Sequence, residues 1–418
     1  MLPPFEDPKL RKTQCESCNI LSVSIVAVSL SATPLPRIPE GSFTSKLFSF
    51  NVFSSLGHPC CTLKPVQWSS VSIQQNIPLA PYTTLQIGGP ARYFAQVHTE
   101  PELIEFVGFA RERSLPIFVL GGGSNLLVSD SGFDGIVLHI AIHQPLASID
   151  RDGFLYEIVP AGIQWNDFVL SVCEQGISGI ECLAGIPGSV GGTPVQNVGA
   201  YGQEVSETIA SVRVLDLETM QFVDLSNAEC GFAYRRSIFN TTHRGRYIVT
   251  AVTFRFDTAR TPHLTYADLT RHFAGAQPTP IEVYHAVRGI RHSKGMLLVD
   301  GEPDCRSAGS FFKNPVVDSS VLDRIASALD IAKEKIPHWP AENNEIKLPA
   351  AWLLERAGFV KDYAMGNAAI SSRHTLALVN RGNATSADII ALRNAIQMKV
   401  AELFGIQLEQ EPVQLGES

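Results

Sequence analysis

The sequence predicts an α+β fold with more than one domain, and three observations support this. A β–α–β pattern opens the ordered part, with a helix after Thr99 and a short buried strand over Pro116–Leu120. The middle of the chain is rich in alternating strand patterns, and the last third is mostly helical. The 418 residues are enough for two or three domains at about 150 residues each.

The composition is typical of a soluble globular chain. Hydrophobic residues make up 45% and charged residues 18%, which excludes a disordered or collagen-like protein. The net charge of −8 and the lack of basic runs argue against a nucleic-acid binder. The longest apolar run, Ile20–Ala32, is interrupted by serines and shorter than the roughly 20 residues of a membrane-spanning helix. We therefore expect no nucleic-acid or membrane partner.

Residues 1–75 differ from the rest, being rich in Ser and Pro and without helical periodicity. We expect a disordered or falsely translated extension, with a secretory signal peptide as the alternative because basic residues precede the apolar run. Cys15 and Cys18 form the only CxxC, and no second pair follows at zinc-finger spacing. We expect no metal site.

The first ordered segment is predicted over 76–141. Thr99 and Glu102 indicate a capping box at the start of a helix. The buried face of that helix is predicted to carry Leu103, Phe106, Val107 and Ala110. A glycine turn follows the next strand.

The second segment is predicted over 142–292 and the third over 293–405, with a strand in 406–416 joining the first segment. The predicted elements of the middle are a strand at Leu155–Val159, a helix at Asn166–Glu174 closed by Gly176, a hairpin of Val212–Leu217 with Gln221–Leu225, and a strand at Tyr247–Phe256. The later helices are predicted at Pro280–Ile290, Ser319–Leu329, Ala350–Ala357 and Ser386–Phe404, and the terminal strand at Ile406–Val413.

Two glycine-rich segments are candidates for binding phosphate. The first is Gly121, Gly122, Gly123, Ser124 and Asn125. It is not the Rossmann fingerprint, because Leu126 takes the place of the third glycine, and a tight structural turn is the alternative.

The second segment, Gly185–Gly202, is long and rich in amides; its candidates are Gly188, Ser189, Gly191, Gly192, Asn197, Gly199 and Ala200. Glycine backbone approaches an anion without Cβ clashes, so the two segments together suit a dinucleotide whose pyrophosphate lies across both. A connecting loop is the alternative.

These segments belong to a longer ordered set of motifs. The others are YTTLQIGGPA at 82–91, FAYRRS at 232–237, LTYADL at 264–269 and AGSFFKNP at 308–315. Together, from about residue 76 to 416, they resemble the UDP-N-acetylenolpyruvoylglucosamine reductase family, in its type I form. The resemblance implies an FAD-binding domain of the para-cresol methylhydroxylase/vanillyl-alcohol oxidase type, in two subdomains, plus a C-terminal α+β substrate domain.

The resemblance also implies an activity. NADPH would reduce FAD, and reduced FAD would reduce UDP-N-acetylglucosamine enolpyruvate to UDP-N-acetylmuramate, a peptidoglycan precursor. The FAD would be non-covalent, which agrees with the lack of Cys and His in both glycine segments. The implied protein is cytoplasmic, and we expect a monomer.

Three residues match the family's catalytic positions. Ser310 would give a proton to the carbon next to the reduced one, Arg235 would hold the substrate carboxylate, and Glu411 would act protonated or share a proton. From the residues alone, a turn hydroxyl, a surface ion pair and a solvated strand face are the alternatives. Glu409 competes with Glu411, because both lie on one face of an alternating strand.

Tyr266 and Asn314 match substrate-binding positions that face the phosphates. Lys294 is the best phosphate candidate in a basic cluster with Arg288, Arg291 and His292; a solvated helix end is the alternative. Two other functions stay open: an FAD-linked oxidase or dehydrogenase with another substrate, and a non-catalytic nucleotide-sugar binder.

Overall fold

The computed structural model describes residues 72–144, 146–341 and 343–416. All of them belong to one compact unit over Trp68–Ser418. The apolar run, the CxxC and most of the predicted extension lie outside the described residues. The first strand starts at Gln74, two residues before the predicted boundary at 76.

The first sheet has the strand order β1-β2-β5-β3, and β2, β5 and β3 run parallel. Its region contains β1 (Gln74–Pro78), β2 (Pro90–Val97), α1 (Glu100–Glu112), β3 (Ile117–Leu120), β4 (Leu126–Val128) and β5 (Phe133–Ile140). The side chain of Thr99 accepts a hydrogen bond from the Glu102 amide at 3.3 Å, which caps α1. The four predicted face residues of α1 are all buried, so the predicted β–α–β unit is confirmed.

The second sheet is antiparallel, with the order β11-β10-β12-β7-β6. Its region contains β6 (Ala147–Arg151), β7 (Phe154–Pro160), α2 (Trp165–Glu174), β8 (Gly199–Ala200), β9 (Gln203–Glu204), β10 (Ile209–Asp216), β11 (Gln221–Ser226), β12 (Tyr247–Asp257), α3 (Ala267–Phe273) and α4 (Pro280–Ser293). The predicted hairpin is confirmed, because Asp216 pairs with Gln221 across its turn.

The C-terminal part holds a four-stranded sheet, β13-β19-β18-β17, and a three-stranded one, β14-β16-β15. Its elements are β13 (Ser307–Ser310), β14 (Val316–Asp318), α5 (Val321–Leu329), β15 (Trp339–Pro340), β16 (Glu345–Lys347), α6 (Ala350–Arg356), β17 (Ala364–Met365), β18 (Ala368–Ile370), β19 (Ala377–Asn380), α7 (Ser386–Phe404) and β20 (Val413–Leu415). The bounds of α7 equal the prediction, and Gly405 ends the helix in a left-handed conformation at φ 71°.

The predicted terminal strand at 406–413 is wrong in extent. Only Val413–Leu415 forms a strand, which pairs in parallel with β4, and before it a single bridge joins Gln410 to Phe312. Proline has no amide hydrogen to donate to a ladder, so Pro412 separates the bridge from the strand.

The two ends of the chain share a hydrophobic core. Leu85, Ile87 and Leu127 from the N-terminal region pack with buried side chains of the C-terminal part, such as Phe311 and Leu408. Burying this apolar surface holds the N-terminal sheet region against the C-terminal part. None of the helices in the described residues is long and apolar enough to cross a membrane.

Candidate active site

A cleft of about 620 Å³ lies where the three regions of the chain meet. Sixteen of the eighteen predicted site residues line it: Gly121, Gly122, Gly123, Ser124, Asn125, Gly188, Ser189, Gly192, Gly199, Ala200, Arg235, Tyr266, Lys294, Ser310, Asn314 and Glu411. Residues far apart in sequence therefore face one space.

The two glycine segments touch each other, backbone against backbone. A Cβ added to Gly122 would lie 2.5 Å from the Cα of Gly188, so neither segment could approach this closely with side chains. Two polar contacts join the same segments: Ser124 Oγ donates to the Pro187 carbonyl at 2.9 Å, and the Asn125 amide donates to Gln196 at 2.6 Å. The segments therefore form one continuous glycine surface along the cleft.

Arg235 lies at the tip of a tight turn. The backbones of Ala233 and Arg236 exchange two hydrogen bonds of 3.0 Å each, which leaves Tyr234 and Arg235 between them. Arg235 has φ +57°, a conformation that costs a non-glycine residue roughly 1–2 kcal/mol. Asn240 holds the turn by donating to the Arg235 carbonyl at 3.1 Å. The fold thus maintains a strained backbone that aims this guanidinium into the cleft.

Arg235 and Glu411 form an ion pair in the cleft. Arg235 Nε lies 3.3 Å from Glu411 Oε1, with 21% and 15% of the two side chains exposed. A second guanidinium nitrogen of Arg235 donates to the Gly199 carbonyl at 2.7 Å. Burial raises the pKa of Glu411, and the charges of Arg235 and Lys313 oppose that rise. Glu411 is therefore easier to protonate than an exposed carboxylate, despite its cationic neighbour.

The structure separates Glu411 from Glu409 by depth. Glu409 is 72% exposed and pairs with Lys313 at the mouth of the cleft. The prediction that the two carboxylates share one strand face is wrong, because both precede the strand at Val413–Leu415 and only Glu411 is buried in the cleft.

Ser310 is the last residue of β13 and lines the same cleft. Its neighbour Phe311 is fixed on both sides, donating to the Leu376 carbonyl at 2.8 Å and accepting from the Glu411 amide at 2.9 Å. This backbone bond links the residue that follows the serine to Glu411. Gly309, at φ +71°, supplies the left-handed turn that precedes Ser310.

Lys294 and Tyr266 lie close together in the lining of the cleft. Lys294 Nζ bonds Asp268 at 2.6 Å and lies 5.7 and 5.8 Å from the ring centres of Tyr201 and Tyr266. Burial lowers the pKa of Lys294, but the Asp268 hydrogen bond and the tyrosines outweigh it, so the net pKa is raised. Lys294 is therefore a stable cation, which suits phosphate.

Asn314 also reaches the cleft. Its side-chain oxygen accepts a hydrogen bond from the Ala350 amide at 2.9 Å, at the start of α6. This contact fixes the amide group and leaves its NH₂ as the donor for a ligand.

Gly191 and Asn197 do not line the cleft, although the sequence suggested them as cofactor-binding residues. A Cβ on Gly191 would lie 2.5 Å from Ala161 Cβ, so this glycine allows close packing against the end of β7. Asn197 is 1% exposed and donates to Glu204 and to the Ala233 carbonyl at 2.7 and 3.1 Å. It fastens the glycine segment to the turn that carries Arg235.

The cleft also contains side chains that the sequence did not single out as ligands. They are Gln196, Tyr201, Tyr234, Lys313 and His374. Arg291, named in the sequence only as part of a basic cluster, is 7% exposed and donates to the carbonyls of Gly185 and Met296 at 3.1 and 2.7 Å. Burial, with nearby Lys294, lowers the pKa of His374 to about 4, so that imidazole is neutral at neutral pH. Tyr201 is the only aromatic residue of Gly185–Gly202, and this was the available signal for one member of the set.

In the described parts of the chain, no group of three or more His, Cys, Asp or Glu side chains is arranged to hold a metal ion. Cys173, Cys182 and Cys230 are buried free thiols. Burial raises the pKa of Cys230 to about 12, so this thiol is protonated and unreactive at neutral pH.

Two family models match the chain. The FAD binding domain model matches residues 91–225, and the model of the C-terminal domain of UDP-N-acetylenolpyruvoylglucosamine reductase matches residues 302–415. The first match contains both glycine segments, and the second contains Ser310 and Glu411. Arg235, Tyr266 and Lys294, which also line the cleft, lie in the stretch between the two matches.

Similar proteins cover most of the chain. UDP-N-acetylenolpyruvoylglucosamine reductase of Thermobifida fusca is 43% identical over 355 residues, which are 83% of this chain and 99% of the relative. The Streptomyces coelicolor protein of the same name is 43% identical over 370 residues, 86% and 94% of the two chains. The crystal structure of UDP-N-acetylenolpyruvylglucosamine reductase from Thermus caldophilus superimposes with a TM-score of 0.55 at 26% identity, covering 83% of this chain and 99% of that one.

An FAD-binding domain that shares a cleft with a second α+β domain defines a flavin-dependent oxidoreductase. The relatives and the C-terminal model narrow this class, and the chain belongs to the UDP-N-acetylenolpyruvoylglucosamine reductase family. The predicted family, α+β fold class and FAD cofactor are thereby confirmed. The glycine surface fits the cofactor, because the glycines that line the cleft expose backbone to it, and such backbone can approach a pyrophosphate at close range.

Proposed function

We propose that this chain is the NADPH-dependent flavoenzyme that reduces UDP-N-acetylglucosamine enolpyruvate to UDP-N-acetylmuramate in peptidoglycan precursor synthesis. One observation carries the proposal: Arg235, Glu411 and Ser310 line a single cleft that the glycine surface also lines. Each comes from a different region of the chain. A nucleotide-binding protein without chemistry has no need for this convergence of a cation, a raised-pKa carboxyl and a hydroxyl.

The glycine surface would hold FAD, and the chemistry supplied there would be transfer of a hydride from NADPH to the methylene carbon of the enolpyruvyl group. Hydride addition there leaves negative charge on the neighbouring carbon and its carboxylate. Arg235 is placed to hold that carboxylate, because a guanidinium offers several donors to it and its orientation is fixed by Gly199. We assign Arg235 to binding and charge stabilisation.

Ser310 donates the proton that completes the reduction. A serine hydroxyl is a weak acid, so it needs a strongly basic carbanion as its acceptor or a relay that returns its proton. Glu411 is our candidate for such a relay, because it lines the same cleft, its pKa is raised and its amide bonds the Phe311 carbonyl. In its protonated form it also removes a negative charge that would oppose the developing one.

The remaining predicted residues hold the two ligands. Gly121, Gly122, Gly123, Ser124, Asn125, Gly188, Ser189, Gly192, Gly199 and Ala200 would contact FAD, with Gly191 and Asn197 supporting that surface. Tyr266, Lys294 and Asn314 would contact the phosphates of the substrate, where a cation and polar donors are required.

We assign the regions accordingly. Residues 76–141 with 406–416 form one FAD-binding subdomain, 142–292 form the other, and 293–405 form the substrate domain. The parallel pairing of β20 with β4 supports including the terminal segment in the first subdomain. We infer a cytoplasmic monomer without nucleic-acid or membrane partners, since its nucleotide substrates are highly charged and the net charge of the sequence is −8.

Stopped-flow absorbance of the FAD-loaded protein tests the function. NADPH should bleach the flavin, and UDP-N-acetylglucosamine enolpyruvate should restore its colour under anaerobic conditions. Reoxidation by O₂ but not by the enolpyruvyl nucleotide would instead indicate an oxidase with another substrate. A flavin that NADPH does not bleach, with the nucleotide still bound, would indicate a non-catalytic binder.

A further inference from the structure

The strongest polar cluster outside the reacting groups surrounds Asp304, in the short turn Pro303–Cys305 that precedes β13. We infer that Asp304 is a positioning residue: through Arg373 and Arg381 it holds the segment 294–306 in the shape that binds the phosphates of the substrate. The inference rests on the proposed function, because it assumes that Lys294 faces those phosphates.

Asp304 is a buried carboxylate with several donors. It is 1% exposed and accepts hydrogen bonds from the Ser372 hydroxyl at 2.6 Å and the Ser372 amide at 3.2 Å. Arg373 Nε and Arg381 Nη1 each lie 3.3 Å from its oxygens. A buried charge is tolerated only when it is paired and hydrogen-bonded, so these contacts define a built anchor rather than a surface ion pair.

Arg373 carries the anchor to the other end of the segment. Its Nη1 donates to the His292 carbonyl at 3.0 Å, at the end of α4, and its Nη2 pairs with Glu302. A Cβ on Gly295 would lie 3.0 Å from Arg373 Nε, so the backbone next to Lys294 rests against this guanidinium. Glu302 in turn bonds His292 at 2.7 Å. Both ends of the segment are thus tied to one arginine.

Arg381 ties the same carboxylate to the substrate-domain sheet. It directly follows β19 and also pairs with Asp362 at 2.8 Å. Asp304 therefore lies between a rigid sheet and a segment without regular structure apart from one short turn. Loops need such fixed partners when a binding side chain must keep its position.

The segment contributes much of one wall of the cleft. Its lining residues are Lys294, Gly295, Met296, Leu298 and Cys305. Within it, Cys305 Sγ accepts from the Val299 amide at 3.0 Å and donates to the Leu297 carbonyl at 3.3 Å, which shapes the loop tip.

Ser310 is fixed by other contacts. Its partner in the sheet is Ala377, and Phe311 bonds Leu376 and Glu411. Loss of the Asp304 anchor should therefore disturb substrate binding much more than proton transfer. This separation distinguishes a positioning role from a general loss of structure.

The experiment measures Asp304→Asn in the FAD-loaded enzyme. Asparagine keeps the size of the side chain but removes the charge that orients both arginines. We expect KM for UDP-N-acetylglucosamine enolpyruvate to rise about tenfold, from displacement of the phosphate-binding wall. We expect kcat within about threefold of wild type and unchanged FAD content, since the reacting groups stay in place.

The matched control is Asp362→Asn. Asp362 is the other carboxylate partner of Arg381, and its side chain is 66% exposed. Its removal should therefore leave KM unchanged. Arg373→Lys is the second variant, because it keeps a positive charge but loses the fork that reaches both Asp304 and the His292 carbonyl; KM should rise again.

Three results would overturn the inference. The first is a KM for Asp304→Asn equal to that of wild type. The second is a loss of kcat and of FAD content in Asp304→Asn as large as the change in KM, which would mean a purely structural role. If Asp304→Asn does not fold, an unchanged KM in Arg373→Lys decides against it. Wild-type enzyme that the enolpyruvyl nucleotide does not reoxidise would overturn the proposed function itself, and the inference with it.

Discussion

Arg235 and Glu411 meet across the cleft with 3.3 Å between Nε and Oε1, although 176 positions separate them in the chain. The strained backbone of Arg235 and the burial of Glu411 each cost free energy, which the surrounding fold offsets. This relationship is the most direct structural argument that the cleft does chemistry. It also leads to a pH prediction.

Glu411→Gln should slow reoxidation of the reduced flavin by the enolpyruvyl nucleotide by roughly 10²-fold, the loss expected for a proton-transfer group. In wild type, the protonated fraction of Glu411 falls as the pH rises through its raised pKa, so the rate of flavin reoxidation should fall at pH values above that pKa. Glutamine does not titrate, so this limb should vanish from the pH profile measured by stopped flow. A limb that persists unchanged in Glu411→Gln would assign it to another group.

The raised pKa of Glu411 also predicts how Glu411→Gln affects the stability of the fold, which is the control for its effect on the rate. A raised pKa means that folding favours the neutral carboxyl, so its contribution to stability is present below the ordinary carboxyl pKa and is lost as the pH rises through the raised value. A permanently neutral glutamine should therefore not lower the melting temperature at neutral pH.

Ser310→Ala should leave the bleaching of the flavin by NADPH nearly intact. It should slow the return of colour with substrate by roughly 10²-fold or more, because the hydroxyl is needed only for the proton. Both half-reactions are measured separately in the stopped-flow instrument. Equal slowing of the two would rule out Ser310 as the donor.

Gly122→Ala should abolish FAD retention. The added methyl would lie 2.5 Å from the Cα of Gly188, and backbone cannot move away as a side chain can. The ratio of flavin absorbance to protein absorbance in the purified variant measures this. Gly108→Ala, in the middle of α1 with nothing within 4 Å of the new Cβ, is the control and should retain FAD fully.

Local patterns predicted most of the fold. The cap and the buried face of α1 follow from short-range hydrogen bonds and periodicity, which a sequence displays directly. The sequence also indicated the two glycine segments as candidate binding sites, because a cluster of residues without Cβ atoms has few structural uses. The contact between Gly122 and Gly188 was not visible, since it depends on how distant strands meet.

The parts that the sequence did not predict depend on long-range contacts. Asn197 has the residue type of a ligand, but its partner at Ala233 makes it a support for the Arg235 turn. The role of Asp304 could not be predicted from a local pattern, because its partners Arg373 and Arg381 lie about seventy residues further along the chain. The terminal strand was overestimated because its alternation is real but most of its backbone finds no ladder partner.

Asp130 provides a stability prediction that does not involve the chemistry. It lies in the loop between β4 and β5, and its carboxylate accepts from the Ser386 amide and hydroxyl, both at 2.8 Å, and from the Ala387 amide at 3.3 Å. The two amides are free backbone donors at the start of α7, where a negative charge is also favoured by the helix dipole.

Asp130→Ala should lower the free energy of unfolding by about 1–2 kcal/mol in urea titrations followed by circular dichroism. Asp134→Ala is the control. The Asp134 carboxylate is 85% exposed and forms a surface ion pair with Arg92, so its loss should change the free energy of unfolding by no more than about 0.5 kcal/mol. If the two variants lost equal stability, the Asp130 contact would not be a helix cap that ties the N-terminal region to α7.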